Sequence, residues 1–245
     1  MHSFFVSPRV LEKDKILITG PDVKHISRVL RLGEGDVIEI LDGRGGAARA
    51  RIEGVAKDAV TCSRLETYAP SGLPPVRVTI LQGLAKGEKM EVIIQKATEL
   101  GVSGIIPVGC RRSVVQLDQG KVEARLERWR RVALEAAKQC RRPDIPVVGV
   151  PVDFAAALQA VPGEALLLMP WEAENSRHLR EVLSGDDKRD VFILIGPEGG
   201  FDPGEVDLAV GRGALTVSLG PRILRTETAG PACLAVIMYQ WGDLG

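Results

Sequence analysis

Past residue 75 the chain settles into apolar runs separated by helical patterns, and that rhythm limits the fold more than any other feature. Short apolar runs at 76–84, 104–108, 147–150, 165–169, 191–195 and 215–219 read as strands buried on both faces. Helical patterns at 88–100, 121–140, 154–161, 176–183 and 203–210 separate most of them, and a last amphipathic run, 228–241, closes the chain. Strands alternating with helices predict a largely parallel sheet with helices on both faces. The first part keeps a different rhythm. Alternating runs at 15–19, 36–41, 48–53 and 59–65 read as strands, with a short helix at 21–32 stopped by Gly33, which suggests a small β-barrel or β-rich domain. Tyr68-Ala-Pro-Ser-Gly-Leu-Pro-Pro75 suits neither a helix nor a central strand and reads as the linker.

At 245 residues the chain has room for one large domain or two smaller ones, and no run approaches the length of a membrane span. The N-terminus has neither the basic start nor the apolar stretch of a signal peptide. Four scattered cysteines without a C-x-x-C pair read as reduced thiols of a cytoplasmic protein, and three scattered histidines argue against zinc. Formal net charge is zero, yet residues 109–142 carry +6 and residues 143–245 carry −8. The basic block sits on a helix whose apolar stripe is Val122, Leu126, Trp129, Ala133, Ala136 and Cys140. Its other side carries Arg125, Arg128, Arg131, Lys138 and Arg142, which suits either a polyanion-binding face or an ordinary solvated one.

Two strand-like runs stop at Gly-Pro: Phe192-Ile-Leu-Ile-Gly-Pro-Glu-Gly-Gly-Phe201 and Val217-Ser-Leu-Gly-Pro-Arg-Ile-Leu-Arg-Thr-Glu-Thr-Ala229. Such loops at strand C-termini let backbone approach a ligand and predict a small-molecule cleft. After the first loop, Asp202, Pro203 and Glu205 form the signature of a capped helix start. That cap already places negative charge there, so a neutral or cationic ligand fits better than phosphate. Glu198 either faces such a ligand or bonds loop amides. In the second loop Arg222 reads as a surface residue, whereas Arg225 stands against the helix dipole and reads as a substrate contact. Ile223 and Leu224 are core or the walls of a flat pocket. Gly43-Arg-Gly-Gly-Ala-Ala48 matches a dinucleotide fingerprint, but the alternation after it predicts a hairpin, and no phosphate-binding P-loop motif occurs.

Together these segments resemble the SPOUT superfamily of S-adenosylmethionine-dependent RNA methyltransferases, in particular the bacterial family that methylates uridine N3 in small-subunit ribosomal RNA. Further stretches carry the resemblance: His25-Ile-Ser-Arg-Val-Leu-Arg31, Lys86-Gly-Glu-Lys-Met90, Gln95-Lys-Ala-Thr-Glu-Leu-Gly101, Arg112-Ser-Val114 and Trp129-Arg-Arg-Val-Ala-Leu-Glu-Ala-Ala-Lys-Gln139. It implies an α/β fold with a PUA-like β-barrel over 1–70 and a SPOUT parallel-sheet domain over 76–245, with a trefoil knot within about 165–245. It also implies a cytoplasmic homodimer acting on 16S ribosomal RNA without a metal. S-adenosylmethionine would be held by Leu168, Met169, Ile195, Gly196, Pro197, Glu198, Gly199, Gly200, Ser218, Leu219, Gly220, Ile223, Leu224, Thr228 and Ala229. Arg225 would stabilise the deprotonated base, with Glu198 and Glu227 as the nearest carboxylates for a general base and direct proton loss to water as the other route. Arg28, Arg31, Arg111, Arg112, Arg125, Arg128, Arg131 and Arg222 would dock RNA phosphates. Two other readings are a SPOUT enzyme acting on another RNA position and a catalytically silent ribosome-assembly factor.

Overall fold

A computed structural model of the chain describes residues 1–69, 73–113, 119–185 and 190–245; linker positions 70–72 and Val114 lie outside them. One unit comprises Met1–Leu73 with Ala137–Ile145. Its elements are β1 (Ser3–Phe5), α1 (Pro8–Leu11), β2 (Lys15–Thr19), α2 (Pro21–Lys24), β3 (Val37–Leu41), β4 (Ala47–Val55) and β5 (Ala59–Tyr68). They form a five-stranded sheet in the order β1-β3-β4-β5-β2, antiparallel except for β1 on β3. Alternation puts Ile16, Ile18, Ile38, Ile40 and Ile52 inside one core. Register shifts at Arg49/Ala50 and Ile52/Gly54 bend β4, which curls the sheet.

The β-rich first part expected from the sequence is a curled half-barrel, open along one side because no pairing among the described residues joins β1 to β2. The helix expected over 21–32 is also corrected. It stops at Lys24 and passes into a π-helical turn, His25–Val29, closed by the Leu30 amide on the His25 carbonyl at 2.9 Å, with Arg31 at φ 55°. The fingerprint-like glycines do form a hairpin: Leu41 pairs with Ala47, and Asp42 accepts the Arg44 and Gly46 amides at 2.7 and 2.8 Å. Arg142, expected on a helix side open to a polyanion or to solvent, is instead only 9% exposed. It lies past the helix end and grips Asp144 with two nitrogens at 3.0 and 2.7 Å, while Gly43 bridges Asp144.

The other unit comprises Pro74–Ala136 with Pro146–Gly245. In chain order it holds β6 (Val78–Gly83), α3 (Lys89–Glu99), β7 (Gly104–Gly109), α4 (Gln119–Cys140, whose last turn belongs to the first unit), β8 (Val147–Val148) and β9 (Val152–Asp153). Then follow α5 (Phe154–Gln159), β10 (Leu166–Pro170), α6 (Leu179–Val182), β11 (Val191–Ile195), α7 (Pro203–Gly211), β12 (Leu215–Val217) and α8 (Thr226–Trp241). The strands make one parallel sheet, β12-β10-β11-β6-β7-β8, with β9 also on β7. Period-two alternation covers both faces. Leu81 and Leu194 pack with Phe154 of α5 and Val206 of α7, whereas Ile80 and Ile195 lie against Gly230 of α8. Since β6 has β7 on one side and β11 on the other, chain order switches there, which leaves a crevice beyond the strand C-termini.

The expected helix over 176–183 shrinks to one turn, Leu179–Val182. Its first residues are diverted because Glu174 accepts the Ser176 and Arg177 amides at 2.7 and 3.1 Å, a local turn that competes with helix. α7 begins as read, with Asp202 and Glu205 closing a reciprocal capping box around Pro203.

Candidate active site

β11 ends at Ile195 and the chain turns through Gly196–Phe201 into the capped α7. This loop lies directly on the end of β6. A Cβ at Gly83 would stand 2.6 Å from the Pro197 nitrogen, so glycine is the residue that permits the approach. Next to it Gln82 is fully buried, and its Nε2 donates to the Gly83 carbonyl and to Thr226 Oγ1, each at 3.0 Å. The Thr226 hydroxyl in turn donates to the Gly196 carbonyl at 2.7 Å. One buried amide thus fastens the first loop and the start of α8 to the central strand.

The second loop leaves β12 at Val217 and turns at Gly220, whose φ of +106° disfavours any residue with a Cβ. It reaches Arg225, the extended N-cap of α8, whose side chain makes no capping bond and is 82% exposed. Between the two loops lies a cleft of about 450 Å³, lined by Lys89, Glu172, Gly196–Phe201 and Ile223–Thr226. A smaller cavity of about 160 Å³ shares Pro170, Glu172, Ile223, Leu224 and Ala229 with it and extends to Trp171, Glu174 and Ser218. The larger volume is in the range of a small-molecule site.

Charge at the cleft is organised around Lys89, at the start of α3. Its ammonium lies 3.3 Å from Glu198 and 3.2 Å from Glu227. Bonding to Glu227 raises its pKa first of all, partial burial opposes this, and Glu198 adds to the rise. Burial pushes Glu198 up, but amide bonds from Lys86 and its own residue, together with Lys89, outweigh it and leave the carboxyl below the usual range. Glu227 is also lowered, chiefly by its own amide at the helix start and then by Lys89 and Arg225. Both carboxylates are therefore ionised acceptors at neutral pH. Glu174 is lowered to about 2 by the Ser176 and Thr216 hydroxyls, with the Ser176 and Arg177 amides behind them.

Of the residues anticipated for the cofactor, Ile195, Gly196, Pro197, Glu198, Gly199, Gly200, Ser218, Leu219, Gly220, Ile223, Leu224 and Ala229 all line one or both cavities. Ile223 is 86% exposed, so it is wall, not core. Leu168 and Met169 are fully buried in β10, and their neighbours Pro170 and Trp171 reach the cavities in their place. Thr228 is exposed and lines neither. Among the arginines, Arg111 pairs with Asp202 at 2.9 Å, Arg112 donates to the Gly199 carbonyl at 3.4 Å and Arg128 pairs with Glu91 at 2.7 Å. These three brace protein. Arg28, Arg31, Arg131 and Arg222 are exposed, and Arg125 borders a separate hollow with Arg128 and Trp129. Lys89, Gln82, Glu172 and Glu174 went unassigned in the sequence. Only Lys89 carried a signal, through the Lys86–Met90 stretch.

The family model described as an RNA methyltransferase domain matches residues 73–238, and that of an RNA methyltransferase PUA domain matches residues 18–63. The chain is 37% identical to the ribosomal RNA small subunit methyltransferase E of Bacillus subtilis, across 98% of this chain and 97% of the relative. It is 36% identical to the protein of the same name from Synechocystis, across 95% and 75%. Among solved structures it is similar to the Neisseria gonorrhoeae ribosomal RNA small subunit methyltransferase E bound to S-adenosyl methionine. There the TM-score is 0.87 at 30% identity, with each chain fully covered.

Proposed function

Because this chain belongs to the ribosomal RNA small subunit methyltransferase E family of RNA methyltransferases, we propose that it methylates N3 of a uridine in 16S ribosomal RNA, with S-adenosylmethionine in the cleft between its two C-terminal loops. One observation carries the reading. The ends of β10, β11 and β12 open into a cleft walled by both glycine-rich loops, and a relative with the same fold is described with that donor bound. The chain's groups suit the donor. Backbone of Gly196–Gly200 and Ser218–Gly220 offers amides and carbonyls, Ile223 and Leu224 offer flat apolar walls, and Glu172 offers an acceptor beside both cavities. When bound, the donor supplies an electrophilic methyl group on a sulfonium.

Uridine N3 is a weakly acidic imide and must lose its proton before it attacks. Arg225 is exposed at the rim, permanently charged and committed to no cap, so it serves the charge that develops on the base oxygens. Glu198 and Glu227 are held below the ordinary carboxylate range, which makes them poor bases at neutral pH. The proton therefore leaves to water, and the carboxylates serve the assembly of the site. RNA docking falls to Arg28, Arg31, Arg125, Arg131 and Arg222, through phosphates.

The same reading takes the domains as 1–70 and 76–245, with the segment 137–145 returning to the first, and the protein as a cytoplasmic homodimer with a C-terminal knot. Two features support the last points. Exposed Val92 on α3 and exposed Val236 and Tyr239 on α8 offer apolar surface on two helices that pack together. Insertion of β11 between β6 and β10 brings the chain back to its first sheet strand before α8 covers it. Replacing Arg225 by alanine should lower methylation of small subunits lacking native modifications by about 100-fold or more, the scale for losing one charge-stabilising group. Calorimetric binding of S-adenosylmethionine should stay near the parent value. Unchanged turnover in that variant ends the assignment of Arg225.

A further inference from the structure

Lys89 touches carboxylates on two segments far apart in sequence: Glu198 of the first loop at 3.3 Å and Glu227, in the first turn of α8, at 3.2 Å. The Glu198 oxygen that faces it also accepts the Lys86 amide at 3.0 Å, so the stretch before α3 contributes two contacts to one carboxylate. All three side chains are only a fifth to a third exposed. An isolated surface ion pair contributes little, but a shared cation joining separate elements is a network, and networks hold geometry. With the cation removed, the two carboxylate oxygens would face each other across no more than about 6.5 Å, where like charges repel. Arg225 stands 4.0 Å from the other Glu227 oxygen, but at 82% exposure its charge is too well solvated to take the place of Lys89.

Resting on the reading of the cleft as the methyl-donor site, we propose that Lys89 is a positioning residue that clasps the first donor-site loop to the start of α8, where the second loop ends, so that the cleft is assembled before the donor enters. Its role runs through the carboxylates and not through the reacting atoms. Two consequences follow. The loops need the charge at position 89 more than its exact shape, so arginine should substitute. In its absence a proton should do part of its work, because one carboxyl, once protonated, relieves the repulsion and offers a donor to the other.

The test is calorimetric titration of the full-length protein with S-adenosylmethionine, comparing the parent, Lys89→Met and Lys89→Arg. The parent should bind with little change between about pH 5.5 and about pH 8, where both paired carboxyls stay ionised. Lys89→Met should bind about tenfold more weakly at the higher pH, a typical coupling for groups in one network, and recover towards the parent at the lower. Lys89→Arg should track the parent at both. Melting curves without donor check the fold, and if Lys89→Met has unfolded, Lys89→Arg decides: parent-like binding supports the clasp and weak binding overturns it. Parent-like affinity of a folded Lys89→Met at both values, or a loss that persists at low pH, overturns it too. A parent protein that binds no donor at either pH would overturn the donor-site reading, and the clasp with it.

Discussion

Glu174 shows how a single side chain can shape a wall of the smaller cavity through hydrogen bonds alone. One oxygen accepts the Ser176 amide and hydroxyl, both at 2.7 Å, and the Arg177 amide, while the other accepts the Thr216 hydroxyl at 2.7 Å. The segment after β10 is thereby tied to β12, at the edge of the smaller cavity. All these bonds favour the charged form, which is why its pKa falls from 4.5 to about 2. For a carboxyl lowered on folding, the stabilisation is complete above the unfolded value and disappears as pH falls through the folded one. The melting temperature of the parent should therefore drop relative to that of Glu174→Gln as pH is lowered from about 4.5 towards 2. Parallel curves over that window would contradict the tie. Nothing in the sequence marks this residue, since a glutamate bonding amides two and three positions ahead has no periodic signature. Arg225 is the opposite case. Its position against a helix start is visible in the letters, and the structure leaves its side chain exposed, with Glu227 at 4.0 Å.

At the level of elements, the site exists because strand ends and loops meet at backbone distance. Gly83 is the tightest such meeting: the atom that a Cβ would strike is the main-chain nitrogen of Pro197, which cannot swing away as a side-chain tip could. Gly83→Ala should force the first loop outward. It should lower stability by about 1–3 kcal/mol, the usual range for overpacking, and weaken S-adenosylmethionine binding in the same preparation. Denaturant midpoints and titration heats equal to those of the parent would show that the loop has room to spare. The loops themselves were legible in the sequence because apolar runs ending at Gly-Pro have few other uses, and the cap at Asp202 was legible because its chemistry is local. Gly83 was not, because its reason lies 114 positions away in sequence. The same holds for Gln82 and Thr226, whose bond spans 144 positions and gives no pattern to either segment. Where a local competitor acts, as Glu174 does on the start of α6, periodicity overstated the helix.

On the scale of the whole molecule, alternation of strands and helices was enough to give the parallel sheet, since connection length and burial leave that sheet few alternatives. Strand order and the half-open state of the first sheet depend on pairings between distant segments, and these leave no trace in a linear pattern. The composition of the first unit is the clearest instance. A cut in the Pro-rich stretch at 68–75 looks sufficient from the letters, yet Ala137–Ile145 belongs with Met1–Leu73. That segment contributes an Ile145 amide bonded to the Gly43 carbonyl at 3.0 Å, a bridge from Gly43 to Asp144, and a Lys138–Asp22 pair at 3.2 Å. It also places the Ile145 side chain against Gly43, where even a Cβ would come within 2.8 Å. A fragment of residues 1–73 should thus be an incomplete unit, with the hairpin around Gly43 short of its partners. Appending residues 137–145 through a flexible Gly/Ser linker restores those partners at a modest loop-closure cost that grows only slowly with linker length. The appended fragment should unfold at a higher urea midpoint than residues 1–73 alone, and Asp144→Ala within it should give back part of the gain. Equal midpoints for the two fragments would mean that the half-barrel is self-sufficient and that the returning segment merely rests on it.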